Sequence, residues 1–146
     1  MTVVTRAEII AVFALVVSVS SLGFSIFVGL RDRSRLVATS RFSATSEYGP
    51  ARLHISVVNA GRRPIVVRML VAVCDDDDWF GDFLGDHKVG LRLGEHERHD
   101  ITLEKSDLLG GRESDLIATD FQIEDSLGRR HSVRDAKKHV GLLLAS

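Results

Sequence analysis

The sequence predicts an all-β domain, an antiparallel β-sandwich, that follows a single hydrophobic helix. Three observations support this fold class. Residues 9–30 form a run of 22 uncharged residues, of which 16 are apolar. Beyond residue 35, short segments of alternating apolar and polar residues are separated by Gly, Pro, Asn and Asp. No long amphipathic pattern lies between these segments, so a βαβ fold is disfavoured.

The hydrophobic run has the length of a membrane span. Twenty-two helical residues rise about 33 Å, and a bilayer core is about 30 Å thick. Thr5 and Glu8 have the spacing of a capping box, so the helix is predicted to begin near Arg6. A cleaved signal peptide is one alternative, with Ser18 to Ser20 before the cleavage site. The apolar residues that continue beyond Ser20 favour a retained anchor, and 22 residues is long for a buried core helix.

Arginine residues flank the predicted span unequally. Arg6 precedes it, whereas Arg31, Arg33 and Arg35 follow it. Because Lys and Arg mark the cytoplasmic side, the sequence predicts an N-terminus outside the inner membrane and a cytoplasmic domain. The single cysteine fits a reducing compartment. The predicted organisation is an N-terminal cap at 1–8, a transmembrane helix at 9–30, a basic linker at 31–35 and the domain at 36–146.

Small residues recur along one face of the predicted helix. They allow helix backbones to approach closely in lipid, so self-association or docking on another membrane helix is one interpretation. The other is a chance arrangement of residues that are common in membrane helices. The face consists of Ala11, Ala14, Ser18, Ser21, Ser25 and Gly29.

Beyond the linker, alternation predicts about seven short strands. In the second of them, Leu53, Ile55 and Val57 share one face. Residues 75–90 are predicted to form a loop, and 135–144 either a short helix or a last strand. The number and spacing of the strands favour an immunoglobulin-like sandwich, although the Cys, Trp, Cys pattern of antibody domains is absent. The strands are placed at 36–44, 52–58, 65–73, 88–93, 98–103, 116–124 and 130–133.

The most distinctive segment of the domain is 74–87, which is both acidic and aromatic. Six aspartates lie within residues 75–86, among Trp79, Phe80 and Phe83. In one interpretation the aromatic rings close one end of the sandwich. In a second, they form with Asp82 an exposed anchor for a protein partner, and the acidic rim attracts a basic surface. In a third, the aspartates bind a hard cation such as Ca²⁺, although no EF-hand spacing is present.

Other polar residues form no recognisable catalytic or metal-binding motif. His87, His96 and His99 do not follow a zinc-ligand spacing, so no metal or cofactor is predicted. Nucleophile-elbow and P-loop motifs are absent, and the acidic neighbours of Cys74 disfavour a reactive thiolate. The net charge of -1 lacks the basic excess of a nucleic-acid-binding protein. The sequence therefore predicts a binding domain and not an enzyme.

Two motifs support a family resemblance. One is L-x-I-x-V-V-N-x-G-R-R-P-I-x-V, from Leu53 to Val67, and the other is D-S-L-G-R, from Asp125 to Arg129. Together with the membrane helix and basic linker, they make the chain resemble small single-pass membrane-anchored proteins of high-G+C bacteria and their phages. The resemblance implies a β-sandwich and no particular activity.

Two main functions follow from these observations. The first is a binding or scaffold module at the inner membrane face, whose partner is a protein. The alternative is a phage- or prophage-encoded membrane protein that acts on the host envelope, for example in superinfection exclusion. A calcium-binding or hydrolase-like domain is the remaining possibility.

Overall fold

The chain divides into two units, Met1–Arg33 and Ser34–Ser146. The structure, a computed structural model, describes residues 6–31, 34–47, 49–75, 78–109 and 116–146. The first unit contains helix α1, Arg6–Arg31, and the second contains all the strands. The predicted N-cap residue Thr5 and Arg33 of the basic linker lie outside the described residues.

Helix α1 is long and apolar enough to cross a membrane. Its segment Arg6–Gly29 has a mean hydropathy of 2.4, and none of the segment is buried against protein. Within the described residues the helix runs from Arg6 to Arg31, and Glu8 lies in its first turn. A negative charge at that end interacts favourably with the helix dipole. Among the described residues, no other helix meets these criteria of length and composition.

Two serines of the small-residue face satisfy their hydroxyl groups within α1. Ser18 Oγ donates to the carbonyl oxygen of Ala14 at 2.8 Å, and Ser25 Oγ donates to that of Ser21 at 2.9 Å. A hydroxyl group that has a partner costs much less in an apolar environment than one without. These bonds therefore make the small-residue face compatible with lipid.

The described residues of the second unit form eight strands, a 3-10 helix and a C-terminal helix. Most strands lie within two or three residues of their predicted positions, but the segment predicted as the loop 75–90 contains an additional strand, β4. The elements are β1 Leu36–Ser43, β2 Arg52–Asn59, β3 Ile65–Cys74, β4 Trp79–Phe83, β5 Leu91–Leu93, β6 Arg98–Leu103, a 3-10 helix Lys105–Leu108, β7 Ala118–Asp125, β8 Arg130–Arg134 and helix α2 Ala136–Leu144.

The strands form one curled, mixed sheet in the order β4-β3-β7-β8-β1-β2-β6, with β5 also paired to β3. Every pair is antiparallel except β1 with β8, where Ala38 and Thr39 pair in parallel with Val133 and Arg134. The expectation of a wholly antiparallel fold is therefore wrong at this pair. Strand β8 pairs first with β7 and then, over its last two residues, with β1. This switch joins the first strand of the domain to the last and curls the sheet around one core.

The alternation in the sequence correctly predicted the core face of several strands. Ile55, Val57, Val67 and Phe121 are each at most 2% exposed. They belong to one hydrophobic cluster to which β1, β2, β3, β7 and α2 all contribute. A single core of this kind means that the loss of one large side chain affects the stability of the whole domain.

The sequence left residues 135–144 as either helix or strand, and in the structure Ala136–Leu144 form helix α2. It buries Ala136, Val140 and Leu143, which are spaced as one helical face. The Nδ1 atom of His139 lies 2.8 Å from Ser40 Oγ. Because that hydroxyl donates to the carbonyl oxygen of Arg134 at 2.8 Å, the imidazole must donate to Ser40. Packing on the core and this polar contact fix α2 against β1.

Asn59, from the first motif, connects two turns of the domain. Its Nδ2 donates to the carbonyl oxygens of Arg63 at 2.8 Å, Gly94 at 3.0 Å and Leu93 at 3.2 Å. Its Oδ1 accepts from the backbone N–H of Gly61 at 3.0 Å. The side chain is fully buried. Asn59 is therefore a structural residue, since it holds the β2–β3 turn against the β5–β6 turn.

Asp125, from the second motif, organises the β7–β8 turn. Its Oδ1 accepts from the backbone N–H groups of Leu127 at 2.8 Å and Arg129 at 3.0 Å. Its Oδ2 lies 3.1 Å from His131 Nε2. Burial by itself raises the pKa of Asp125, but the hydrogen bonds from His131, Arg129 and Leu127 outweigh it and hold the pKa below its usual value. The carboxylate is thus a charged, buried cap for the turn, and Gly128 supplies the positive φ of 73°.

Candidate functional site

Strand β4 brings the acidic and aromatic segment to the edge of the sheet. Phe80 pairs with Ala72, and Asp82 pairs with Leu70. The backbone N–H of Cys74 donates to the carbonyl oxygen of Asp78 at 2.9 Å and closes the turn between β3 and β4. The sequence did not predict this strand, because the flanking aspartates are typical of loops. The aromatic residues were the available signal, since they favour strands. Asp76 and Asp77 lie outside the described residues.

The alternation of side chains along β4 separates its aromatic residues. Phe80 points to the inner side and packs, partly buried, against the hydrophobic core. Trp79 and Phe83 lie on the opposite side and are 49% and 47% exposed. Phe80 thus packs on the core, whereas Trp79 and Phe83 are half exposed, so β4 does not keep the three aromatic residues on one side.

Trp79 and Phe83 belong to an outer aromatic patch, which we define as Met69, Val71, Val73, Trp79 and Phe83. The strand pairing sets Trp79 opposite Val73, and Phe83 opposite Met69. Gly81 lies between the two rings and opposite Val71. A Cβ atom there would lie 2.6 Å from Met69 Cε and 2.8 Å from the Leu70 carbonyl oxygen. The absence of a side chain at residue 81 therefore lets Met69 lie close to β4 within the patch.

Neighbouring side chains hold both aromatic rings of the patch. Arg130 Cζ lies 4.9 Å from the centre of the Trp79 ring, a cation–π geometry. The same guanidinium has Nε 3.6 Å from Glu124 Oε2. The ring of Phe83 contacts the ring of His87 edge-on, with centres 6.4 Å apart. The patch is therefore preorganised while about half of each aromatic side chain remains exposed.

Exposed carboxylates lie within β4 and on both sides of it along the chain. They belong to Asp75, Asp78, Asp82 and Asp86. Asp86 Oδ1 accepts from the backbone N–H of Lys88 at 2.8 Å and so stabilises the turn after β4. Among the residues that the structure describes, no three His, Cys, Asp or Glu side chains are placed to hold a metal ion. The described carboxylates place negative charge close to the outer aromatic patch.

Cys74 ends strand β3 and is buried. Burial raises the pKa of its thiol, and the negative charges of Asp78 and Asp75 raise it further. A thiol in this environment stays protonated near neutral pH and is a poor nucleophile. Cys74 is therefore a packing residue at the base of the acidic segment.

A cleft of about 380 Å³ lies on the inner side of β4. It separates β4 from β6, the strands at the two ends of the described sheet. Its floor is apolar, and Asp82 and Asp107 add carboxylates to its lining. The apolar lining residues are Leu70, Ala72, Phe80, Ile101, Leu103 and Phe121. Asp82, the fourth predicted site residue, thus lines the cleft and is not part of the outer aromatic patch.

No protein-family model matches the chain, and a search of curated proteins gives no match either. The fold and the site define the class of protein on their own. It is a β-rich domain that follows a membrane-length apolar helix, with aromatic side chains exposed at one edge strand.

Proposed function

We propose that the protein is a single-pass membrane protein whose immunoglobulin-like β-sandwich domain binds a protein partner at the inner membrane face, without catalysis. The outer aromatic patch is the observation on which this rests. Trp79 and Phe83 are half exposed on one face of an edge strand. Large aromatic side chains that stay exposed yet ordered are typical centres of protein interfaces.

Charge around the patch supports a basic partner. Three described carboxylates, those of Asp75, Asp78 and Asp86, flank β4, and that of Asp82 lies on its inner side. A partner surface rich in Lys and Arg would be attracted to them, and such steering raises the association rate more than the final affinity. The proposed partner therefore presents arginine or lysine near an apolar contact.

The immunoglobulin-like assignment is supported by how the strands connect. β7 and β8 form a hairpin, and the last strand pairs in parallel with the first. The curled sheet encloses a single core, to which residues of β1, β2, β3 and β7 contribute. Sandwiches of this class bind partners through exposed strands and loops while the core stays unchanged.

Removal of the two exposed rings tests the proposed binding surface. We expect Trp79→Ala with Phe83→Ala to weaken partner binding by about thirtyfold or more, the effect of losing one hot spot of about 2 kcal/mol. The domain should stay folded with a lowered melting temperature, because the buried halves of the two rings contribute about 2–3 kcal/mol together and the Arg130 contact about 0.5–1 kcal/mol. Affinity capture of the full-length protein in mild detergent identifies the partner, and titration of that purified partner gives Kd.

Leu127→Ala is the matched control for this experiment. Leu127 is 71% exposed in the β7–β8 turn. Weaker partner binding by this variant would show that the partner adheres nonspecifically to exposed apolar side chains. A partner that binds the double variant as tightly as the wild type would contradict the proposed surface. Failure of the double variant to fold would instead assign Trp79 and Phe83 to the stability of the domain.

The proposed membrane topology has a separate test. We expect a membrane-impermeant maleimide to label Thr2→Cys in intact cells and to label Leu127→Cys only after the cells are opened. The physical reason is the arginine excess after α1. Moving Arg31, Arg33 and Arg35 to the N-terminal side should reverse the pattern. Labelling of Leu127→Cys in intact cells would contradict the cytoplasmic position of the domain.

A further inference from the structure

The cleft between β4 and β6 lies between two edges that no described strand covers. In the β3–β4 ladder, Leu84 N–H donates to the Arg68 carbonyl oxygen and Asp78 accepts from Cys74. Residues in an antiparallel strand turn their N–H and C=O groups alternately toward and away from the partner strand. The backbone groups of Gly81 therefore point away from β3, toward the cleft.

The same alternation applies to β6. The carbonyl oxygen of Glu97 accepts from Asn59 N–H and so faces β2. Ile101 and Leu103 lie an even number of residues beyond Glu97, so their backbone N–H and C=O groups also face β2. Thr102 lies between them, so its N–H and C=O groups point away from β2. Gly81 and Thr102 both line the cleft. The cleft is thus bounded by two stretches of strand backbone that pair with none of the described residues on this side, a template for an added strand.

The side chains of the cleft specify which strand would fit. Phe80 on one side and Ile101 and Leu103 on the other form an apolar interior, and Asp82 and Asp107 supply negative charge. A strand laid here would turn every second side chain into the apolar interior. The two carboxylates attract a segment that also carries Lys or Arg.

We propose that an extended segment of the partner, with apolar residues alternating with Lys or Arg, enters this cleft and adds a strand to the free edge of β6. Its backbone pairs with Thr102 and lies against Gly81, and its apolar side chains contact Phe80. This inference rests on the proposed function, because it specifies how the protein partner of β4 is bound. Strand addition obtains affinity from backbone hydrogen bonds and specificity from alternate side chains.

A proline substitution in β6 tests the backbone contact. Thr102→Pro removes the outward N–H, and proline is tolerated in an edge strand when its N–H side is not paired. Thr102→Val is the matched control, because it keeps the N–H but loses the hydroxyl group that lies 3.0 Å from His54 Nδ1. Asp82→Lys tests the charge independently and leaves the backbone unchanged.

The probe is a random library of displayed peptides of about eight residues, long enough to span a strand of the length of β6. It is panned against the full-length protein in lipid nanodiscs, and enriched peptides are synthesised for anisotropy titration. We expect enriched peptides to alternate apolar and basic residues. Thr102→Pro should bind them about tenfold more weakly than Thr102→Val, the effect of one lost hydrogen bond. Asp82→Lys should weaken binding as well.

Three outcomes would overturn strand addition. They are the absence of any enriched peptide, enrichment of acidic or non-alternating peptides, and equal binding by the proline and valine variants. If Thr102→Pro does not fold, an unchanged Kd for Asp82→Lys overturns the proposal in its place. Loss of partner binding in the Trp79 and Phe83 double variant, with no effect of Thr102→Pro, would leave the proposed function standing without strand addition. Weaker binding by Thr102→Pro, with no effect of the Trp79 and Phe83 double variant, would retain strand addition and exclude the outer aromatic patch as the binding surface.

Discussion

Replacement of Asn59 by Asp is expected to abolish folding of the domain. The substitution removes the two amide hydrogens that now serve the carbonyl oxygens of Arg63, Leu93 and Gly94. It also places a carboxylate against those oxygens at a fully buried position. Leaving buried acceptors without donors costs about 1–3 kcal/mol each, and an unpaired buried charge costs more. Domains of this size are stable by only about 5–15 kcal/mol.

Circular dichroism of the full-length protein in detergent micelles measures this effect. We expect loss of the strand signal or of a cooperative thermal transition in Asn59→Asp, while the signal of α1 persists. Ala60→Asp is the control, since it adds the same charge at an exposed neighbouring position. A variant at residue 59 with wild-type melting behaviour would show that the two turns are held by other contacts.

Acid is expected to destabilise the domain through Asp125. The pKa of this carboxyl group is lowered in the folded state, so its ionised form contributes stability that is fully present above the unfolded pKa of about 3.9. That contribution is lost as the pH falls through the lower, folded pKa. Asp125→Asn removes the charge and should cost about 1.5–3 kcal/mol at pH 7, the usual range for hydrogen bonds to a charged group.

Chemical unfolding at a series of pH values separates this residue from other carboxylates. The difference in unfolding free energy between the wild type and Asp125→Asn should be largest near neutral pH and should shrink below about pH 4. The exposed Asp86 provides the control, and Asp86→Asn should follow the wild type. A difference that stays constant from neutral to acidic pH would contradict a role for the charge of Asp125.

The sequence predicted most of the fold because most of its information is local. A run of uncharged apolar residues determines α1, and alternation determines β2, where Leu53, Ile55 and Val57 face the core. These patterns depend on side-chain periodicity within one element, so they can be recognised without knowledge of the neighbouring strands. The motif N-x-G-R-R-P was also correctly placed at a turn.

Strand β4 and helix α2 could not be derived in the same way. Aspartates around Trp79 favour a loop, and only pairing with β3 over Val73 to Met69 makes the segment a strand. Residues 135–144 were compatible with helix or strand until burial of Ala136, Val140 and Leu143 selected the helix. In both cases contacts with distant residues outweigh local preference.

The sequence by itself determined the membrane-length helix, the β-rich domain and the presence of an acidic and aromatic segment. Only the tertiary structure decided that Phe80 packs inward while Trp79 and Phe83 remain exposed. It also decided the parallel pairing of β1 with β8 and the contacts of Asn59 with Leu93 and Gly94. These features depend on strand register and on residues far apart in the chain, and register is set by packing of the whole sheet.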